Sequence, residues 1–137
     1  MKYWLFKSEP SAWSWDDQVK AGAKGTGWTG VRNHLAKQQM MAMSLGDLGF
    51  FYHSNDGKEM VGIVEVVKEF HPDPTDEKKQ FGMVAVKAVE KLPKPVTLAD
   101  VKATSALAKM SLVTSARLSV QPVTAAEWRI ISKMAGL

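Results

Sequence analysis

Residues 61–67, "VGIVEVV", are apolar on both faces of a strand apart from Glu65. Side chains alternate between the two faces of a strand, so a strand with one wet face shows alternating apolar and polar residues. An apolar run rich in β-branched residues predicts instead a strand that is covered on both sides. We therefore expect a sheet with other elements laid against both of its faces, as in a small barrel with helices around it.

The N-terminal run "KYWLFKS" also has the composition of a strand, and Pro10 ends it. Alternation along this strand places Lys7 and Glu9 on one face and Ser8 on the other. The end of this strand therefore carries three polar side chains of different chemistry, two on one face and one on the other.

Further strands and turns follow along the chain. Turns at 46–47 and 55–57 flank "LGFFYHS" and lead into "MVGIVEVVKEF", which predicts an antiparallel hairpin. The polar loop "HPDPTDEKKQ" precedes the strand "FGMVAVKAVEKL", which we expect "LPKPV" to break. The chain thus contains four to six short strands.

Helices are predicted between and after the strands. Ser14 has the features of an N-cap for a short helix that stops at Gly22. A second helix is predicted over 33–43, and capping boxes at 97–100 and 124–127 begin two more, with a helix and a short strand between them. At ~3.6 residues per turn, one stripe of the second helix faces the core, formed by Leu35, Ala36, Met40 and Met43.

The composition excludes several classes of chemistry. The 137 residues are the length of one domain, and the absence of cysteine excludes disulfides, zinc–thiolate sites and thiol nucleophiles. The N-terminus lacks a signal-peptide core and no segment approaches the ~20 apolar residues of a membrane span, which predicts a soluble, cytoplasmic protein without a membrane partner. The net charge of +4 is concentrated after residue 100, a modest attraction for polyanions.

No catalytic or metal-binding pattern stands out. The three histidines, His34, His53 and His71, have no metal-ligand spacing, and the glycine-rich run "GAKGTGWTG" lacks the ending of a phosphate-binding loop, so we expect neither a metal nor a cofactor. A serine nucleophile, Ser8 or Ser54, would need His53 as its base, but Ser54 is its strand neighbour and faces the other way, and Ser8 could meet His53 only through the fold. The sequence therefore predicts a protein that is not an enzyme.

The segment "WTGVRNH" at 28–34 concentrates groups that recognise ligands. Trp28, between Gly27 and Gly30, can offer a flat ring for stacking, and the following helix start, with Asn33, can hydrogen-bond a base edge or a phosphate. On these residues alone, the segment favours a packed Trp28 and an Asn33 that only caps the helix, and ligand binding is the alternative.

The order of motifs resembles EVE domains. The matching stretches, which span nearly the whole chain, are "YWLFKSEP", "WTGVRNH", "GDLGFFYHS", "VGIVEV", "KPVTL" and "RLSVQPVTAAEW". The EVE family includes stand-alone bacterial members, and the resemblance implies one domain over residues 1–137. It also implies an α+β, PUA-like pseudo-barrel of about five to six mainly antiparallel strands with peripheral helices, related to YTH and ASCH domains.

The resemblance implies a nucleic-acid-binding module that reads a modified base, in particular a modified cytosine of DNA, or a modified RNA base. Trp28 and Tyr52 would contact the faces of the base, and Asn33, Ser8 or Ser54 its edge. The implied base-binding residues are Lys7, Ser8, Glu9, Trp28, Val31, Arg32, Asn33, Tyr52, His53 and Ser54. Phosphate contacts would come from Arg32 and from Lys102, Lys109, Arg117 and Ser119.

Other functions fit the same resemblance. ASCH domains include small amidohydrolases that act on modified nucleosides with a lysine, a hydroxyl residue and an acid, the residue types of Lys7, Ser8 and Glu9. A domain whose pocket holds a small metabolite is a further alternative. Where we expect a Trp in the later strand of the family, this chain has Phe81, so a cage that included this position would have a smaller ring.

Overall fold

The computed structural model describes all residues, 1–137, and contains a single sheet. Its strands are β1 (Tyr3–Ser8), β2 (Thr26–Gly27), β3 (Leu48–His53), β4 (Glu59–Pro72), β5 (Gly82–Thr97) and β6 (Val120–Val123). Their order is β2-β5-β4-β3-β1-β6, and only β1 and β3 run parallel. The predicted α+β fold with mainly antiparallel strands is thereby confirmed, and the predicted hairpin is the pair of β3 and β4.

The sheet is not closed by strand pairing, because the edge strands β2 and β6 are not hydrogen-bonded to each other. The helices are α1 (Trp15–Lys20), α2 (His34–Met41), α3 (Leu98–Lys102), α4 (Ser111–Thr114) and α5 (Ala125–Met134). Helix α2 packs against β4, β5 and β6, and so a helix bridges the open side that a barrel would close with hydrogen bonds.

Two hydrophobic clusters cover the two faces of the sheet. Val64 and Val66 of β4 belong to the first cluster with α2, and Ile63 belongs to the second cluster with α3 and α5. Strand β4 is therefore covered on both sides, as its apolar run predicts. We call the two clusters the first core and the second core.

Local capping explains where the helices begin. The side chains of Ser14, Thr97 and Thr124 each accept a hydrogen bond from the backbone N–H three residues on, and the carboxylate at that position accepts one from the backbone N–H of the cap residue. Asn33 caps α2 through its side-chain oxygen, 3.0 Å from the amide nitrogen of Ala36. These contacts satisfy backbone donors that a helix start otherwise leaves unpaired.

Three expectations about helices need correction. Helix α2 ends at Met41, short of the predicted 43, and Leu35 is 49% exposed although we expected it in the core-facing stripe. Leu35 lies roughly 100° around the helix from Ala36, at the margin of the stripe, so it turns to solvent. The predicted helix in the segment 105–119 is reduced to a 3-10 turn at 105–107 and the four-residue α4.

The prolines of "LPKPV" do not break β5, which runs on to Thr97. Residues 92–95 of β5 lie opposite Val61 of β4 alone, because the register shifts between the pairs Gly62–Lys91 and Met60–Val96. Pro93 and Pro95 are exposed within this bulge, where the missing N–H groups cost no regular ladder bond.

None of the helices combines the length and the apolar character that crossing a membrane requires.

Candidate functional site

An open cleft of about 480 Å³ lies where β1 ends. This volume is in the range of small-molecule sites, about 300–1,000 Å³. The end of β1, the turn that follows it, and β2 with the next loop form its walls. The lining residues are Lys7, Ser8, Glu9, Ala12, Trp13, Thr26, Gly27, Trp28 and Thr29.

Trp28 forms one wall of the cleft and is also part of the first core, with only 8% of its surface exposed. Its ring stands edge to face against Phe6, at 5.2 Å between centroids, and against Phe51, at 5.7 Å. Its backbone N–H donates to the carbonyl oxygen of Val84 at 2.7 Å. The two interpretations of Trp28 left open by the sequence therefore describe one residue, since the ring is packed and still borders the cleft.

Backbone conformation requires a glycine at position 30, whereas Gly27 lies against the movable end of the Met83 side chain. A Cβ on Gly27 would lie 2.8 Å from the side chain of Met83, and Gly30 has φ +80°, which side-chain-bearing residues rarely adopt. The amide of Gly30 donates to Asp73 Oδ2 at 2.9 Å. The segment 27–30 is thus held in place at the edge of β5.

A second indole, Trp13, borders the same cleft, and sequence reasoning did not find it. Its carbonyl oxygen accepts a hydrogen bond from Ser8 Oγ at 2.5 Å, and its Nε1 donates to Gln18 Oε1 at 2.9 Å. The fully buried Gln18 donates in turn to the carbonyl oxygen of Val86 at 3.0 Å. This chain of bonds fixes the Trp13 ring between β1 and β5.

The sequence does carry a signal for Trp13. It precedes the N-cap Ser14, and a residue there often packs against the fourth residue of the helix, which in α1 is Gln18. Here a hydrogen bond replaces the usual hydrophobic contact.

Lys7 is half-buried at the margin of the cleft and takes part in no ion pair. Its Nζ donates to the carbonyl oxygen of Ala116 at 2.6 Å, and its backbone N–H donates to that of Ser119. Burial lowers the pKa of the Lys7 amine. These bonds bring Arg117 and Ser119, two predicted phosphate contacts, close to the cleft, and Arg117 is exposed.

Glu9 is the only carboxylate residue that lines the cleft. It is exposed and forms no ion pair, and its carbonyl oxygen accepts the amides of Ala12 and Trp13. The hydroxyl proton of Ser8 is donated to Trp13 and Lys7 Nζ uses one of its three donors, whereas the side chains of Glu9, Thr26 and Thr29 have no hydrogen bond within the fold.

Beyond Thr29, the segment "WTGVRNH" turns away from the cleft. Val31 is buried in the first core, and Asn33 uses its side-chain oxygen to cap α2. Arg32 pairs with Asp73, at 3.2 Å between Nη1 and Oδ2, and also donates to Thr75. None of these three residues lines the cleft, so the expected approach of Asn33 to Trp28 around a base is absent from this conformation.

Asp73 is the acceptor at the centre of this arrangement. Its buried carboxylate accepts from the amide and hydroxyl of Thr75, from the amide of Gly30 and from Arg32. Burial opposes ionisation of Asp73, but these hydrogen bonds outweigh it and lower its pKa to about 2. The side chain is therefore charged throughout the physiological range.

Tyr52 does not face Trp28, contrary to our expectation. It is 3% exposed and belongs to the second core, while its neighbours Phe51 and His53 lie on the other side of β3. Side chains alternate along a strand, so Tyr52 and His53 cannot both face one pocket. Burial raises the pKa of the Tyr52 hydroxyl.

His53 and Ser54 lie behind the end of β1. His53 Nε2 accepts a hydrogen bond from the amide of Trp15 at 3.1 Å, which requires an unprotonated Nε2, and burial lowers the pKa of the ring despite the opposing charges of Glu59 and Asp16. The amide of Ser54 donates to the carbonyl oxygen of Ser8 at 2.9 Å.

The residues considered for catalysis have other partners. Ser8 and His53 are register partners in β1 and β3, but Ser8 Oγ donates to Trp13 and His53 accepts from Trp15. In the same way, Lys7 Nζ is bonded to Ala116. A nucleophile and its base are expected within hydrogen-bond reach of each other, and these contacts hold the groups to the backbone instead.

The remaining predicted residues lie elsewhere. Lys102 at the end of α3 and Lys109 in the turn before α4 are both exposed, on the side of the second core, and neither lines the cleft. Phe81 also lies outside the cleft. Its ring centroid is 4.9 Å from that of His34 and 5.8 Å from the guanidinium carbon of Arg32. A cage that includes Phe81 is therefore not formed.

Comparison with known proteins gives consistent matches over the whole chain. The model of the EVE domain family matches residues 2–134. Thymocyte nuclear protein 1 of Mus musculus is 36% identical, over 94% of this chain and 71% of the relative. A crystal structure of a protein from Agrobacterium tumefaciens is 54% identical with a TM-score of 0.98, covering 100% of this chain and 94% of that chain.

Two solved complexes are also similar. The human THYN1 protein in complex with 5-methylcytosine-containing DNA has a TM-score of 0.91 at 32% identity, covering 100% of this chain and 99% of that chain. The YTH domain of the Zygosaccharomyces rouxii MRB1 protein has a TM-score of 0.59 at 16% identity, covering 99% and 85%, which shows a shared fold only. These matches confirm the resemblance seen in the sequence motifs.

Proposed function

Because the chain belongs to the EVE domain family, we propose that it is a nucleic-acid-binding module that recognises a modified base. The observation that carries this proposal is the cleft bordered by the indoles of Trp13 and Trp28. The human relative solved with 5-methylcytosine-containing DNA supports the same class of ligand. We further propose that the ligand is a modified cytosine in DNA.

In this proposal the base enters the cleft after leaving its stack. Flipping a base out of a duplex costs a few kcal/mol, and stacking on one aromatic side chain contributes about 1–3 kcal/mol. Contacts with Trp13 and Trp28 would together offset most of that cost. Both rings are already fixed by hydrogen bonds or core packing, so little conformational entropy is lost when the base binds.

Glu9 is the side chain that we propose reads the base edge. A carboxylate accepts hydrogen bonds and donates none, so it suits the exocyclic amine of cytosine and disfavours the carbonyl group of thymine at the same position. Thr26 and Thr29 can complete the contacts, because a hydroxyl both donates and accepts. This assignment replaces Asn33 and Ser8, whose side chains are engaged within the fold.

The phosphate backbone would follow the exposed Arg117 beside the cleft. Lys7 and Ser119 support that rim through the bonds that join β1 to residues 116–119. The walls would then be supported from behind by Arg32, Val31, Asn33, His53 and Ser54, none of which lines the cleft. Lys102 and Lys109 would contribute only general electrostatic attraction. Basic residues of this kind supply affinity that falls with salt and carries no sequence information.

We propose that the module binds its base without converting it. The amidohydrolase alternative needs Lys7, Ser8 and Glu9 to act together, but Lys7 and Ser8 each donate to a backbone carbonyl. Incubating the protein with acylated cytidine and following release of the acyl group by mass spectrometry tests this point. Any enzymatic product would overturn the proposal of a pure binding module.

The decisive experiment is titration with short oligonucleotides that differ at one base: cytosine, 5-methylcytosine or thymine, in single-stranded and duplex DNA and in RNA. A methyl group in a fitted site is worth about 1–3 kcal/mol, so we expect roughly 10- to 200-fold tighter binding of 5-methylcytosine than of cytosine. Trp13→Ala, which removes a half-buried ring, should reduce this preference. Equal affinity for all three bases would refute the proposed function.

A further inference from the structure

The strongest polar cluster of the molecule lies outside the cleft, at the end of β4. The carboxylate of Asp73 is completely buried and forms the only ion pair of the chain, with Arg32. Three further donors reach it: the amide of Gly30 at 2.9 Å, and the amide and hydroxyl of Thr75 at 2.7 and 2.6 Å. A buried charge is kept only where such partners replace its water.

This cluster is connected to the cleft through the backbone. Trp28 and Thr29 line the cleft, and Gly30 follows them directly. The segment is held at one end by the bond from the Trp28 amide to Val84 and at the other by the bond from the Gly30 amide to Asp73. Asp73 does not line the cleft itself.

We infer that Asp73 is a positioning residue for the base-binding cleft: by holding the Gly30 amide it sets the place of the Trp28–Thr29 wall, and thereby the selectivity for a modified base. The effect on selectivity rests on the proposed function. The hold on Gly30 does not depend on it and can be measured without any ligand.

The chemistry of the cluster requires a carboxylate. All four groups that reach Asp73 are donors, and an ionised carboxylate has only acceptors. In Asp73→Asn one oxygen becomes an NH2 group, which must face at least one of these donors. If the NH2 group faces Gly30, that amide loses its acceptor; if it faces Thr75, Gly30 keeps only a neutral acceptor, so its hydrogen bond is weakened in both orientations.

Asp76 provides a matched control in the same loop. Its carboxylate accepts from the amides of Lys78, Gln80 and Phe81, and has no bond to residues 28–30. Asp76→Asn therefore makes the same chemical change in a neighbouring turn while leaving the hold on Gly30 intact.

The test compares Asp73→Asn and Asp76→Asn by amide hydrogen exchange and by titration with oligonucleotides containing 5-methylcytosine or cytosine. In Asp73→Asn we expect the Gly30 amide to exchange about tenfold faster, as for a lost bond to a charged acceptor. The ratio of the two affinities should fall about 2- to 30-fold, the range for a residue that modulates a site without contacting the ligand. Asp76→Asn should change neither quantity.

Each outcome decides the inference. Equal exchange at Gly30 in both variants would overturn it, and so would faster exchange with an unchanged affinity ratio. If the wild-type protein itself shows no preference for 5-methylcytosine, the proposed function fails, while Gly30 exchange still reports the hold of Asp73. Should Asp73→Asn not fold, Thr75→Val removes one donor without a change of charge; we expect a smaller acceleration at Gly30, and none would overturn the inference.

Discussion

Trp28 and Trp128 are equally buried, each with 8% of its surface exposed, yet they lie on opposite faces of the sheet. Trp128 stacks on Tyr3 and Phe50 with centroid distances of 4.5 and 3.9 Å and nearly parallel planes. Trp28 meets its two aromatic neighbours edge to face and borders the cleft. The exposed fraction alone therefore does not distinguish the two indoles. They differ in whether a cleft lies beside the ring, as it does at Trp28.

The largest effect that tests this comparison concerns stability. We expect Trp28→Ala and Trp128→Ala each to lower the free energy of unfolding by about 3–5 kcal/mol, because each removes a large side chain from a packed core. Urea denaturation followed by circular dichroism measures both. A cost below about 1 kcal/mol for Trp28→Ala alone would mean that Trp28 is not part of the core.

The second test separates the two indoles by binding. Trp28→Phe should weaken binding of 5-methylcytosine DNA by about 1–2 kcal/mol, or roughly 5- to 30-fold, because the smaller ring loses stacking area. Trp128→Phe is the matched control, since it makes the same change on the other face, and its affinity should equal that of the wild type. Fluorescence anisotropy with labelled oligonucleotides measures both, and equal losses would contradict the difference between the faces.

A third test compares two glutamates. Glu9→Gln should reduce discrimination between 5-methylcytosine and thymine by about 1 kcal/mol, or roughly fivefold, because the two bases share the methyl group and differ in the amine that a carboxylate accepts. Glu127→Gln, next to Trp128, is the control, since Gln also suits that capping position. If both variants retain full discrimination in competition titrations, Glu9 does not read the base.

The smallest effect is a pH dependence that distinguishes His53 from its neighbour Tyr52 on the opposite face. The pKa of His53 is lowered in the folded protein, so folding favours the neutral ring. This contribution is complete above the unfolded value of about 6.5 and is lost as the pH falls through the lower folded value. Urea midpoints should therefore decrease over this window in the wild type and less in His53→Gln; identical profiles would contradict this role.

Features that depend on neighbours in the chain could be predicted from the sequence. The helix caps Ser14, Thr97 and Thr124 each form hydrogen bonds with the residue three positions on, and this spacing can be recognised in the amino-acid sequence. The apolar run of β4 likewise predicts cover on both faces. These interactions are local or follow from the two-residue period of a strand.

Features that depend on distant pairing could not be predicted in this way. Pro93 and Pro95 are accommodated only because the register of β5 against β4 leaves them in a bulge. Trp13 is held at the cleft by Gln18, and Gln18 is in turn held by its hydrogen bond to Val86, a residue 68 positions away in the chain. Tyr52 is a different case, because strand alternation alone separates it from His53 and the family resemblance led us to group the two.

The position of β1 in the sheet has a consequence for how the molecule is assembled. This first strand lies between β3 and β6, and its residues pair with positions 48–53 and 120–123. Loop closure over such separations slows folding, and a growing chain cannot complete the sheet before its last strand is made. The cleft at the end of β1 is therefore expected to appear late in folding, together with the most distant contacts, and not as a preformed N-terminal unit.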